Sequence, residues 1–295
     1  MSGTPIHDQL ERTAQELDMG RRHRGWANKP AELAVPVAEA EPVAEPVYRC
    51  SHCKDLQRVA IEVAPHRYTT IWCPHCAADR AEAQVARETG LVGAVKNWRL
   101  ANFRRRFGPA TMGLDAAREA VKRPVGFVTF HGGYGSGKSH LLGGICNDLH
   151  EAGRSVHYTT LAGLLDYLRE AFDPDSTTGL AARYERMLAV ECLAIDEVEK
   201  VSVTQWADEK LFQLIDDRYR RANECLTVLA SNHRICDRDA DGNIVRTYPV
   251  LPSSKFVGAI MSRLLDGRFL VVDVGNEDVR PSLDRGRWLQ GLGRD

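Results

Sequence analysis

Residues 127–139 read FVTFHGGYGSGKS, and few stretches of this length restrict a fold so tightly. A β-prone run, Phe127 to Phe130, feeds Gly132, Gly133, Tyr134, Gly135, Ser136, Gly137, Lys138 and Ser139, which satisfy G-x-x-x-x-G-K-[ST] at every fixed position. Such a loop wraps phosphates with its backbone amides, so it needs glycines where a Cβ would block the approach. It also needs a following helix to aim its positive end at the anion. Leu141, Leu142, Ile145 and Leu149 recur at helical spacing directly after the loop, so that helix is expected over residues 139–149. A strand before the loop and a helix after it are the context that confirms the motif over a chance glycine-rich turn. The nucleotide-contacting set is expected to run from Gly132 to Ser139 and on to His140, with Lys138 on the β and γ phosphates and the Ser139 hydroxyl on Mg²⁺.

The rest of such a site has to come from other strand ends. Residues 190–195, VECLAI, form an apolar run that leads straight into Asp196-Glu197. In a P-loop chain this places Asp196 in the Mg²⁺ shell and Glu197 where it can orient the attacking water. Residues 225–230 read as another strand, whose end delivers Ser231 and Asn232, a polar side chain set between the two halves of the site. Strands at 155–159 and 268–274 bring the expected number to five. Between them lie helices whose buried faces are Leu161, Leu164, Leu165, Leu168 and Phe172, then residues 180–188, then Trp206, Leu211, Phe212, Ile215 and Tyr219, and finally residues 255–265. Asp237 to Gly242 resembles the start of a calcium loop, but its twelfth position is Tyr248 rather than a bidentate Glu, so a hairpin turning at Asp241-Gly242 is expected instead.

Upstream of the sheet the composition changes. Cys50 and Cys53, then Cys73 and Cys76, form two CxxC pairs with 19 residues between them. This spacing suits a zinc site of four thiolates with no open coordination position, hence a structural one. The intervening VAIEV and RYTTIW read as a two-stranded ribbon too small to fold without the metal. Residues 30–47, rich in Pro, Ala, Val and Glu, are expected to be an extended linker. It would tether a weakly amphipathic segment, residues 6–19, suited to binding a partner. Residues 77–107 are expected to be helical. Their end, KNWRLANFRRRF at 96–107, concentrates basic and aromatic side chains. That combination suits either single-stranded nucleic acid or a helix whose rings pack on the nucleotide domain. The net charge of −1 gives no whole-molecule attraction to nucleic acid. Without an apolar run long enough to span a bilayer and without a signal-like N-terminus, the expected location is the cytoplasm and no membrane contact is expected.

Taken together, Gly132 to Ser139, Asp196-Glu197, Ser231-Asn232, Ser262-Arg263-Leu264 and Arg280 resemble the AAA+ ATPases. More narrowly, they resemble the helicase-loader branch of DnaC and DnaI type proteins and the related IstB transposition helpers. The resemblance covers roughly residues 91–281. It implies a five-stranded parallel sheet between helices, with ATP at the strand C-terminal ends and Asn232 as the first sensor. Arg263 would be the finger that completes a neighbouring subunit's site, and Arg280 a second sensor. Only 15 residues follow Arg280, too few for a helical lid, as in loaders of this branch. A cysteine-rich module before the ATPase is similar to several loaders and is not expected of IstB-like helpers.

The implied organisation is a partner-binding helix in residues 1–29, a linker at 30–47, a zinc module at 48–80, a helical connector at 81–124, an ATPase domain at 125–282 and a tail at 283–295. The implied function is an ATPase that loads a hexameric replicative helicase onto single-stranded DNA, assembling with copies of itself through Arg263 when ATP is bound. A transposition helper in the same fold, and a nucleotide-switched adaptor with little hydrolysis, are the alternatives.

Overall fold

An antiparallel ribbon opens the computed structural model, which describes residues 48–103, 109–200, 204–251 and 254–278. The segments expected at 1–29, 30–47 and 283–295, and Arg280, lie outside the described residues. In the ribbon, β1 (Arg58–Ala64) pairs with β2 (Arg67–Trp72), Arg58 opposite Trp72 and Glu62 opposite Tyr68. Nearly every ribbon side chain is exposed, so there is no apolar interior to hold it. Its open end is closed by the Cys73 N–H, which donates to the Gln57 carbonyl at 2.8 Å. That pairing brings the second CxxC alongside the first.

Helix α1 (Ala77–Thr89) follows Cys76 and stops at Gly90, which adopts the left-handed conformation at φ +68°. A Cβ at Gly90 would lie 1.8 Å from the Tyr158 carbonyl oxygen, so only glycine lets the helix end this close to the sheet. Residues 77–107 are therefore not one helix. Beyond Gly90 the chain makes two 3₁₀ turns, Val95–Asn97 and Leu100–Asn102, before α2 (Pro109–Lys122).

Strands are then joined by helices, two of them between β4 and β5: β3 (Gly126–His131), α3 (Lys138–Glu151), β4 (Val156–Thr160), α4 (Leu161–Arg169), α5 (Leu180–Ala189), β5 (Cys192–Asp196), α6 (Gln205–Arg220) and β6 (Leu226–Ser231). A hairpin, β7 (Cys236–Arg238) and β8 (Ile244–Thr247), α7 (Val257–Leu264) and β9 (Leu270–Asp273) complete the described chain. The large sheet has the order β4-β5-β6-β3-β9 and every pairing in it is parallel. β3, β5 and β6 are buried at every residue, as expected for central strands covered on both faces.

Two apolar layers flank the sheet. On one face Phe127, Leu193, Ile195 and Leu229 pack with α4, α5, α6 and α7. On the other, Val128, Phe130, Ala194 and Val228 pack with α2 and α3. Alternation along each strand divides these residues between the faces. Phe172 departs from expectation: the helix ends before it, and its ring is exposed against Trp206 at 5.9 Å. Among the described residues no helix follows β9, and none is long and apolar enough to cross a membrane.

Candidate active site

The parallel register decides which chain segments meet. His131 pairs with Ser231 and Ile195 with Leu229, so β3, β6 and β5 end at the same edge of the sheet with β6 in the middle. The phosphate loop, Asn232 and Asp196-Glu197 therefore emerge side by side, at the carboxyl ends where open α/β sheets bind ligands.

Three loop glycines adopt positive φ: Gly132 at +147°, Gly135 at +73° and Gly137 at +97°. Gly132 has a second reason to be glycine. The segment after β9 passes so close that a Cβ would sit 2.4 Å from the Gly275 carbonyl oxygen, which accepts the Gly133 N–H at 2.9 Å. Lys138 is buried, and its ammonium donates to the carbonyls of Gly132 at 2.8 Å and Gly133 at 2.7 Å.

Asp196 is also buried, which drives its proton affinity above the usual carboxylate range; hydrogen bonds from Ser139 and Tyr158 act in the opposite direction. The Tyr158 hydroxyl donates to Oδ2 at 2.7 Å and the Glu197 N–H to Oδ1 at 2.9 Å. A desolvated carboxylate beside a serine hydroxyl at a phosphate loop is a donor set that suits Mg²⁺, which accepts hard oxygen ligands. Tyr158 was not foreseen. Its signal is tertiary, because β4 pairs with β5 and Tyr158 faces Ala194, two residues before the aspartate.

Glu197 has φ +55°, unusual for a residue with a side chain and typical of positions held by their surroundings for a purpose. Its carboxylate accepts from the Lys200 ammonium at 2.5 Å. Asn232 donates through Nδ2 to Glu199 Oε1 at 2.5 Å. Neither partner was foreseen. Arg263 is engaged elsewhere: its Nε donates to Asp216 Oδ1 at 2.8 Å and a second nitrogen binds the same oxygen, while the guanidinium stacks over Phe212 at 5.1 Å.

His140 serves the connector. Its ring stacks on Trp98, with centroids 5.6 Å apart, and meets Phe103 edge-on at 5.3 Å. Gly143 and Gly144 of α3 leave the room for this, since Cβ atoms there would come within 2.6 Å of Trp98 and 2.7 Å of Leu100. Arg99 pairs with Glu151 at 2.6 Å and Lys96 with Glu82 at 2.8 Å. The described part of residues 96–107 thus packs on the phosphate-loop helix, while 104–107 lie outside the described residues.

In the ribbon, Cys53, Cys73 and Cys76 are buried, with the Cys53 and Cys76 sulfurs 3.5 Å apart. With Cys50 the four thiols lie within 4.8 Å of one another. A tetrahedron with Zn–S bonds of about 2.3 Å has sulfurs about 3.8 Å apart, so the cluster fits that ion. His52 and His75 lie outside it, their rings tilted by 32° with centroids 4.4 Å apart.

Residues 122–281 match the family model of IstB-like ATP binding proteins. The replicative helicase loader DnaC of Escherichia coli strain K12 is 30% identical over 108 residues, 36% of this chain and 44% of DnaC. The chain thus spans under half the length of the curated relatives it matches. Two solved structures are also similar. The crystal structure of the DnaC helicase loader has a TM-score of 0.45 at 18% identity, covering 61% of this chain and 99% of that one. The crystal structure of DnaI has a TM-score of 0.46 at 20% identity, covering 63% and 93%.

Proposed function

The chain belongs to the IstB-like ATP-binding protein family, and from that premise we propose that it is an ATPase that loads a hexameric replicative helicase onto single-stranded DNA. The observation that carries the ATPase reading is the meeting of Lys138, the Ser139–Asp196 pair, Glu197 and Asn232 at one edge of the sheet. The similarity to a replicative helicase loader supports the choice of task.

In this reading the loop amides and Lys138 bind the triphosphate, and Ser139 and Asp196 hold Mg²⁺. That ion would neutralise charge on the phosphate oxygens. Glu197 orients a water whose oxygen bonds to the γ-phosphorus as the β–γ bridging P–O bond breaks. The bond pair leaves with ADP, and the water's proton passes to Glu197. Asn232 faces the γ-phosphate. Arg263 of a neighbouring copy supplies positive charge to the transferring group, its guanidinium set by Asp216. The four cysteines hold zinc as a structural ion, and the ribbon and the residues before it grip the helicase.

The test has two parts. Glu197→Gln should bind ATP without turning it over, and Lys138→Ala should lose nucleotide affinity; hydrolysis by Glu197→Gln at the parental rate would refute the site. Tagged Glu197→Gln protein with ATP should then capture a hexameric helicase from host lysate, and a version beginning at Leu91 should not. Capture of a transposase instead would leave the ATPase chemistry standing and overturn the loading role.

A further inference from the structure

Beyond the residues that the phosphate loop and the Asp-Glu pair account for, we infer that Glu199 and Lys200 are positioning residues that hold Asn232 and Glu197 in a resting arrangement. Turnover then requires both to be released. The inference rests on the reading of Glu197 as the water-orienting residue and Asn232 as the group facing the γ-phosphate.

Both clamps arise from one short turn. Immediately after β5, the Val198 N–H donates to the Ala230 carbonyl at 3.1 Å, fastening the turn to β6. The Lys200 N–H donates to the Glu197 carbonyl at 3.1 Å, closing it. The turn is therefore fixed at the strand end that also delivers Asn232. Its side chains reach the two groups that hydrolysis needs, Lys200 to Glu197 and Glu199 to Asn232, each at 2.5 Å.

The chemistry of the two clamps differs. An ammonium on the Glu197 carboxylate occupies lone pairs that would accept from water and offsets the charge that would polarise it. Lys200 is about half exposed, so this hold is weak, salt-sensitive and open to competition from an anion arriving from outside. Glu199 is more enclosed. Its second oxygen, Oε2, is buried and has no partner among the described residues. A desolvated carboxylate gripping the Asn232 amide competes with phosphate oxygens for the same donors and repels the charge they carry. It acts on ATP, which brings a γ-phosphate, more than on ADP.

The experiment uses the full chain with its zinc, and ATP and ADP as probes. Lys200→Met should raise turnover at saturating ATP by about two- to fivefold, the scale of an exposed ion pair, with ADP affinity unchanged. Lys200→Arg should retain the wild-type rate. Added salt should accelerate wild type under saturation and leave Lys200→Met flat. Glu199→Gln, which keeps an acceptor and removes the charge, should increase the preference for ATP over ADP by about two- to fivefold. Unchanged turnover in Lys200→Met, or an unchanged ATP-to-ADP ratio in Glu199→Gln, would overturn the inference. The double variant Lys200→Met/Glu197→Gln separates this from the underlying reading: if it hydrolyses ATP, Glu197 is not the water-orienting residue, whatever the clamps do.

Discussion

Among the described residues Arg218 is the largest fully buried side chain, and replacing it tests how the site's scaffold is held. From α6 its Nε donates to Thr227 Oγ1 at 2.8 Å and its Nη2 to the Leu226 carbonyl at 2.6 Å. Nη1 donates to the carbonyls of Met187 at 3.0 Å, Leu188 at 3.3 Å and Val190 at 3.1 Å. Met187 and Leu188 lie in the last turn of α5, where carbonyls lack intrahelical donors and a positive charge is favoured. One guanidinium thus joins the end of α5, the entry to β5 and the start of β6.

In Arg218→Met the Leu188 carbonyl keeps a donor, Arg221 at 2.9 Å. The carbonyls of Met187 and Val190 lose theirs, whereas the Leu226 carbonyl lies in a strand paired on both sides and the Thr227 hydroxyl can turn to donate instead. At about 1–3 kcal/mol for each buried acceptor left unmade, the loss is about 2–6 kcal/mol. Relief from desolvating a guanidinium offsets part of this, leaving an expected destabilisation of about 2–4 kcal/mol. That is a large share of the roughly 5–15 kcal/mol typical of a domain. Urea unfolding of the zinc-loaded protein, followed by far-UV circular dichroism, should show a lower midpoint at an unchanged slope. A loss below about 1 kcal/mol would refute the reasoning and show that the buried charge costs as much as its five bonds return.

Three other outcomes follow from the same geometry. Removing zinc with a chelator, or replacing Cys73 with Ser, should unfold the ribbon, because its side chains are exposed and the cysteine cluster is its main enclosed feature; Trp72 fluorescence should report the loss while nucleotide affinity persists. Gly132→Ala should weaken ATP binding by at least tenfold and lower stability by about 1–3 kcal/mol, since the new Cβ meets the Gly275 carbonyl oxygen in a conformation strained for any side chain; this is read by nucleotide titration and thermal unfolding. Burial holds the imidazoles of His131, His140 and His157 below their ordinary value of 6.5, so below that pH the unfolded chain takes up protons that the folded one refuses. Stability should be intact at pH 7.5 and should fall as pH drops through 6.5 toward the folded values. Urea midpoints at pH 7.5 and 5.5 check this, and His157→Gln should shrink the difference.

The sequence by itself determined the phosphate loop, the Asp196-Glu197 strand end, the alternation of strands and helices and the paired cysteines. Each is a local demand: glycine where a backbone must take positive φ or approach a phosphate, an unbroken apolar run where a strand is covered on both faces, thiols at ligand spacing. Periodicity reports that a residue is buried; it does not report against what. Residues 96–107 therefore read equally well as a nucleic-acid platform or as packing, and for the described part, 96–103, the stacking of His140 on Trp98 and the room left by Gly143 and Gly144 on the facing helix are what show the packing. Phe172 continued a helical pattern that the chain itself breaks one turn earlier. Tertiary structure alone decided the partners: Tyr158 on Asp196, Glu199 on Asn232, Asp216 on Arg263 and the carbonyls around Arg218. Those pairs depend on strand order and register, which join residues up to 47 positions apart in the chain. No local propensity encodes such distances, because they are set only when the sheet closes.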